Sequence, residues 1–379
     1  MSLRSVAAPA AALVAVGLSV TVTVEADDAI RINQIQVIGT HNSYHIAPHP
    51  NVLKLIDQGG RGRSAALDYT HRPFDEQFDR LGIRQVELDI FVDSKGGHFA
   101  NPAARSILKG QNLDPGADPG LDGSLLKPGL KLLHVQDVDY LSRTNTFAGA
   151  LSQIRDWSIR RPRHVPILIL VETKQGSIPL LPTQPEPFGA AEFDAIDTAV
   201  RQAFGPDGVI TPDLVRGDFA TLAAAVQTRG WPTIGASRGK VIVALDDEGA
   251  MRDTYLDGHP ALRGRSMFVS IPPEHPAAGW MKVNDPVADF ERIQTLVQAG
   301  FLVRTRADAD TVEARTNDPS RRDKAFASGA QFISTDYPEP DPRFSPYEVR
   351  FRGGTVARTN PVVGPPTAGD LEDLKGSAR

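Results

Sequence analysis

The chain has 379 residues, 41% of them apolar and 23% charged, a globular composition with enough apolar residues for a sizeable core, which excludes a disordered chain. A net charge of −5 and a pI near 6.0 provide no global basic field to recruit nucleic acid or an anionic membrane. The absence of cysteine excludes disulfides and thiolate metal sites, and says nothing against export.

Residues 1–26 read as an export signal. Met1-Ser2-Leu3-Arg4 gives a positive start, Ser5 to Val24 is uncharged and apolar, and Val24-Glu25-Ala26 offers small residues for cleavage. The stretch is nearly long enough to span a bilayer. Its Ala, Ser and Thr content and Pro9 favour cleavage over anchoring, so the mature chain is expected to be secreted. Eight short apolar runs follow, near Ile35–Thr40, Gln85–Phe91, Lys131–Val135, Pro166–Glu172, Lys240–Leu245, Met267–Ile271, Phe301–Arg304 and Gln331–Thr335. Continuous Val/Ile/Leu runs suit parallel strands covered on both faces.

Helical stripes lie between these runs. Phe147, Leu151, Ile154 and Trp157 form one, and Phe193, Ile196, Val200 and Phe204 another. Asp285 and Pro286 suggest a helix start before the seventh run, with Gly300 after its end. Strand–helix alternation repeated eight times implies a (β/α)8 TIM barrel, here over residues 27–352, with 353–379 as a C-terminal tail. The Gly/Pro/Asp-rich stretch 99–129 reads as a long surface loop on the active-site face.

Four of the runs end in residue types that do chemistry. Gln36-Val37-Ile38-Gly39-Thr40-His41-Asn42-Ser43 ends in His-Asn, Gln85-Val86-Glu87-Leu88-Asp89-Ile90-Phe91 carries Glu-x-Asp, Lys131-Leu132-Leu133-His134 ends in His, and Ile167-Leu168-Ile169-Leu170-Val171-Glu172 ends in Glu. In α/β barrels catalytic groups gather at the carboxyl ends of strands. Glu87 and Asp89 are two apart, so they point to one face of their strand. Asn42, Glu87, Asp89 and Glu172 are all hard oxygen donors, and three carboxylates in one barrel mouth would repel without a cation. An oxygen-only set suits Ca²⁺ or Mg²⁺ rather than zinc. His41 and His134, on the first and third runs, read as an acid/base pair flanking that cluster. His45, His71, His98, His164, His259 and His275 lack such a context and read as surface or loop residues, His45 being nearest the site.

With the late run Gln331-Phe332-Ile333-Ser334-Thr335-Asp336-Tyr337-Pro338, these four segments resemble the bacterial, calcium-dependent branch of the phosphatidylinositol-specific phospholipases C, within the barrel phosphodiesterases. The resemblance spans about residues 30 to 340 and implies that Asn42, Glu87, Asp89 and Glu172 are metal ligands and that the metal is calcium. It implies a metal-polarised phosphoryl group attacked by a neighbouring inositol hydroxyl; the favoured assignment makes His134 the acid and His41 the transition-state and base-side residue, with the exchange of the two roles and Glu87 as base in the first step left open as alternatives. Lys174 and Arg304 would hold phosphate or headgroup oxygens, and Asp336 and Tyr337 would meet the polyol. The expected enzyme is a secreted monomer acting on a phospholipid headgroup at a membrane or micelle surface, with no nucleic-acid partner. A glycerophosphodiester phosphodiesterase shares the barrel, but its first motif has His followed by Arg-Gly, where this chain has His41-Asn42-Ser43. A non-catalytic lipid- or sugar-binding barrel would have lost one of these histidines or acids, and none is missing.

Overall fold

The computed structural model describes residues 27–366, 371 and 372. The expected export signal therefore lies outside the described residues, none of whose helices is long and apolar enough to cross a membrane.

Eight parallel strands form the barrel: β1 (Ile35–Thr40), β2 (Gln85–Asp93), β4 (Ile167–Thr173), β5 (Val241–Leu245), β6 (Met267–Val269), β7 (Trp280–Lys282), β8 (Leu302–Arg306) and β9 (Phe332–Thr335). Their order is β6-β5-β4-β2-β1-β9-β8-β7, and a parallel bridge between Ser270 and Trp280 brings β7 back against β6. Every residue of β1, β2, β5, β6 and β9 is buried, as strands covered on both faces must be. Outside the strands, helix Phe147–Arg160 buries Phe147, Leu151, Ile154 and Trp157, and helix Ala190–Phe204 buries Phe193, Ile196 and Val200. Both apolar stripes read from the sequence thus face the core.

The third apolar run is not a barrel stave. β3 (Gly129–Leu132) runs antiparallel to the overhanging end of β2, pairing Ile90 with Leu132 and Asp93 with Gly129. His134 lies beyond it, on a turn rather than on a barrel strand. An apolar run carries no direction of pairing, and this one covers a rim instead of closing a cylinder. Its Lys131 is buried and reaches Asp93 at 3.5 Å. The missing stave is β7, whose three residues follow the proline-rich Pro272–Gly279 stretch and are too short to show a period.

The boundary at residue 352 falls inside the folded unit. β10 (Ala357–Thr359) pairs antiparallel with the start of β1, and Leu371 and Glu372 are buried. The helix before β8 begins at Phe290 with Asp289 as its cap, while Asp285 accepts from Val287 and Ala288 N–H and so organises only the preceding turn. The stretch 99–129 includes a helix, Ala103–Gly110.

Candidate active site

The carboxyl end of β1 is bent into the barrel mouth by its own sequence. Asn42 has φ 44, a left-handed conformation that asparagine tolerates better than most residues. Ser43 ties this corner to β2: its N–H donates to the Glu87 carbonyl at 3.0 Å, and its hydroxyl accepts from the Glu87 N–H at 2.8 Å. Glu87 and Asp89 face the mouth from β2, and β4 pairs in a register that sets Asp89 beside Glu172.

Carboxylate oxygens of Glu87, Asp89 and Glu172 lie within 4.8 Å of one another. The Asn42 amide stands between the Tyr69 hydroxyl at 3.0 Å and the Asp89 carboxylate at 3.1 Å, its nitrogen turned to the acid and its oxygen to the phenol. The four expected ligand side chains are therefore together, and a half-turn of the Asn42 amide, exchanging its nitrogen for its oxygen, would present that oxygen to a cation in the cluster. Lys174 closes the cluster, its ammonium 2.9 Å from Asp89 and 2.7 Å from Glu172. Arg304 is buried and donates to Glu87 at 2.5 Å and to the Ser334 hydroxyl at 3.1 Å. Neither cation is a free headgroup ligand in this arrangement; both are neutralising the acids.

Burial pushes the Glu87 carboxyl up to about 8 and that of Asp89 up to about 7, against the pull of Arg304 and Lys174 respectively. Lys174 holds Glu172 below its ordinary value although burial works the other way. Two protein cations thus only partly offset three clustered acids. An oxygen-only set short of positive charge fits a hard dication such as Ca²⁺, with Asn42, Glu87, Asp89 and Glu172 as its holders.

His41 sits over this cluster, Nε2 3.6 Å from Glu87, with Nδ1 2.8 Å from Asp336. Asp336 also accepts from Arg306 at 3.1 Å. Burial, helped by the Arg306 charge, brings His41 down to about 3 against the opposing pull of Asp336, so the ring is neutral. A carboxylate at Nδ1 takes the ring proton there and leaves the Nε2 lone pair facing the mouth.

His134 is held in the same way by a residue the sequence reading passed over. Its Nδ1 is 2.7 Å from Asp139, which also meets Nε2 of the buried His45 at 2.8 Å. Although burial opposes it, the two histidines hold the Asp139 carboxyl down at about 2. His45, His71 and His164 are buried, not surface residues, and His71 donates from Nε2 to the His41 carbonyl at 2.7 Å. Tyr337 packs edge-on against Phe344 and Tyr347 and is buried, so its ring serves the closure of the fold, while Asp336 is occupied in orienting His41. Tyr69, Asp139 and Arg306 carry no local sequence signal, since each acts only through a partner distant in the chain or across a turn.

Residues 30–361 match the family described as "Phosphoinositide phospholipase C, Ca2+-dependent". No curated protein sequence matches the chain. Among solved structures, a calcium-dependent phosphoinositol-specific phospholipase C from Pseudomonas sp. superposes with a TM-score of 0.52 at 15% identity, covering 88% of this chain and 96% of that one. The myo-inositol complex of that protein gives 0.51 at 15%, covering 88% and 97%. A Ca²⁺-dependent phosphatidylinositol-specific phospholipase C from Streptomyces antibioticus gives 0.48 at 19%, covering 82% and 96%. At such identities the Pseudomonas superpositions speak for the barrel fold.

Proposed function

This chain belongs to the Ca²⁺-dependent phosphoinositide phospholipase C family, and we propose that it cleaves phosphatidylinositol to diacylglycerol and an inositol phosphate by histidine-assisted attack of an inositol hydroxyl. The observation that carries this reading is the convergence of three strand-end carboxylates within 4.8 Å, beneath a histidine whose free nitrogen faces them. Asn42, Glu87, Asp89 and Glu172 are the ligand set. When bound, Ca²⁺ supplies Lewis-acid polarisation of a phosphoryl oxygen and lowers the pKa of a coordinated hydroxyl.

The protein's own groups supply the proton transfers. His41, neutral and protonated at Nδ1 against Asp336, accepts the proton of the attacking hydroxyl at Nε2. His134, held at Nδ1 by the ionised Asp139, delivers a proton from Nε2 to the leaving glycerol oxygen. Arg304 holds the Glu87 carboxyl in place and pulls against the effect of its burial. Holding hydroxyl and phosphorus together supplies much of the rate through proximity, because the nucleophile belongs to the substrate. Export after removal of residues 1–26 and action as a monomer at a lipid surface complete the proposal.

Purified protein assayed on phosphatidylinositol with Ca²⁺ and with EDTA should release inositol phosphate only with the metal. A 2-deoxyinositol analogue should bind but turn over little, since it lacks the hydroxyl beside the phosphate. Efficient cleavage of that analogue, or strong preference for glycerophosphocholine, would replace this reading with a glycerophosphodiester phosphodiesterase that uses water.

A further inference from the structure

Two residues past the end of β8, Asp308 is fully buried, and its carboxyl is bonded to the end of β9. Oδ1 accepts from the Asp336 N–H at 2.8 Å. Oδ2 accepts from the Thr335 hydroxyl and, at 3.2 Å, from the Tyr347 hydroxyl. The backbone of Asp308 is engaged as well. Its carbonyl accepts from Arg306 Nε at 3.1 Å, and Arg306 Nη2 donates to Asp336 Oδ2 at 3.1 Å. One residue thus holds Asp336 twice, by its N–H directly and by its carboxylate through Arg306.

Asp336 in turn holds His41. Its Oδ1 is 2.8 Å from Nδ1 of the ring, and the His41 N–H donates to the Thr335 carbonyl at 3.0 Å. Thr335 and Asp336 therefore carry both the backbone and the ring of His41, and the Asp308 carboxyl is bonded to both of them. Withdrawing a carboxyl from water is unfavourable unless its oxygens are bonded, and an apolar side chain would fill a core as well. Burial, with the Asp336 charge, pushes the Asp308 carboxyl up to about 7. Oδ1 accepts in either protonation state, so the hold on the Asp336 N–H does not depend on the proton.

We propose that Asp308 is a positioning residue for the reaction: by fixing the backbone of Thr335 and Asp336 it sets the direction in which His41 Nε2 faces the carboxylate cluster. The proposal rests on the phospholipase reading above and adds a third member behind the His41–Asp336 pair. Asp308 itself has no surface open to substrate, so it acts only through its neighbours. Nε2 stands 3.6 Å from Glu87, and a shift of Asp336 would carry it away from the attacking hydroxyl. A misplacement of about 1 Å can cost roughly 10²-fold in rate. Arg304, Arg306 and Asp308 are spaced two apart, and each secures an acid at the mouth: the first Glu87, the other two Asp336.

The test compares Asp308→Ala with Asp308→Asn, because an amide keeps an oxygen for the Asp336 N–H and alanine keeps none. On phosphatidylinositol with Ca²⁺, Asp308→Ala should lower kcat roughly 10- to 10²-fold with KM nearly constant, and Asp308→Asn should restore most of the loss. Asp308→Ser, which admits water to the same donors, takes the place of alanine in every measurement if that variant does not fold. Added to Asp336→Ala, the change at Asp308 should cost almost nothing more, since it acts through Asp336. In proton spectra without substrate, the downfield imidazole N–H resonance of His41, assigned by its loss in His41→Ala, should move in Asp308→Ala and stay in place in Asp308→Asn. A lower melting temperature with normal kcat and an unmoved His41 resonance would make Asp308 a support of the fold alone and overturn the proposal. So would additive losses in the double variant, or equal losses with asparagine and alanine. If the wild type does not cleave phosphatidylinositol, the phospholipase reading fails, and the His41 resonance still judges the positioning.

Discussion

Asp139 decides what His134 can do. It touches no position open to substrate, being buried beneath the two histidines it joins. Both ring nitrogens of His45 meet acceptors, the Tyr69 carbonyl at 3.0 Å and Asp139 at 2.8 Å, so His45 is a fixed strut rather than a spare base. Asp139 in turn fixes the ring of His134, leaving only Nε2 for the mouth. His41→Ala and His134→Ala should each lower turnover roughly 10²- to 10⁴-fold, the range for a positioned acid or base. Calcium affinity should change little, because neither histidine belongs to the oxygen set. Asp139→Asn should lower kcat roughly 10²-fold or more with KM nearly constant, since an amide does not stabilise the imidazolium that delivers the proton from Nε2. Made on top of His134→Ala, it should cost almost nothing further, because the two residues act as one unit. Additive losses in the double variant would detach Asp139 from the mechanism.

At the scale of elements, the site depends on how closely β1 and β2 approach. Gly39 of β1 lies against Gln85 of β2, and a Cβ there would meet the Gln85 side chain at 2.0 Å from Oε1 and 2.5 Å from Cβ. The amide end can swing away, but the Gln85 Cβ is fixed to its strand. Gly39→Ala should therefore push the strands apart and destabilise by roughly 1–3 kcal/mol, as overpacking does. It should also lower activity, because His41 and Glu87 sit just beyond the contact; thermal melts and turnover would check both. A wild-type melting temperature in that variant would show that the strands have room to give. The same pair of strands shows what the sequence discloses. Glu87-x-Asp89 on an apolar run announces two acids on one face, and His41-Asn42 announces polar groups at a strand end, so the oxygen cluster was legible before any coordinates. β3 and β7 were not, because apolar character does not say whether a strand joins a barrel or covers its rim, and three residues show no period. Asp139 was hidden, and Asp336 was legible as a site residue but not as the partner that orients His41, for a different reason. Asp139 follows His134 through a turn and Asp336 meets His41 from the far end of the chain, and an ion pair across such separations leaves no local pattern.

The molecule as a whole divides its buried charge between two ends of one barrel. The mouth holds the cluster that needs a cation. The opposite end, before β4, holds Arg84 paired with Glu372 and, beside them, the buried His164. Glu372 also accepts from the Val165 N–H at 2.8 Å, so the last described residue helps fasten the entry to β4. His164 donates from Nδ1 to the Val165 carbonyl at 2.6 Å and meets the Ser158 hydroxyl with Nε2 at 2.7 Å, the pattern of a neutral ring. Burial brings it down to about 4 from an ordinary 6.5, with the Arg84 charge adding to the effect. The sign follows from proton counts. Between those two values the unfolded chain binds a proton that the folded chain refuses, so stability is fully present above about pH 6.5 and is lost as pH falls toward 4. A gap of that size corresponds to roughly 3 kcal/mol at most. Many carboxylates titrate over the same range, so the contribution has to be read as a difference between two proteins. At pH 7.5 the wild type should melt above His164→Asn, and the gap should shrink steadily as pH is lowered to 5. Turnover of the variant on soluble substrate should stay near normal at pH 7.5, because the residue lies at the end of the barrel away from the mouth. A melting gap that stays constant from pH 7.5 to 5 would mean that His164 is not held neutral by the fold, and that its burial is matched by a counter-charge as effective as water.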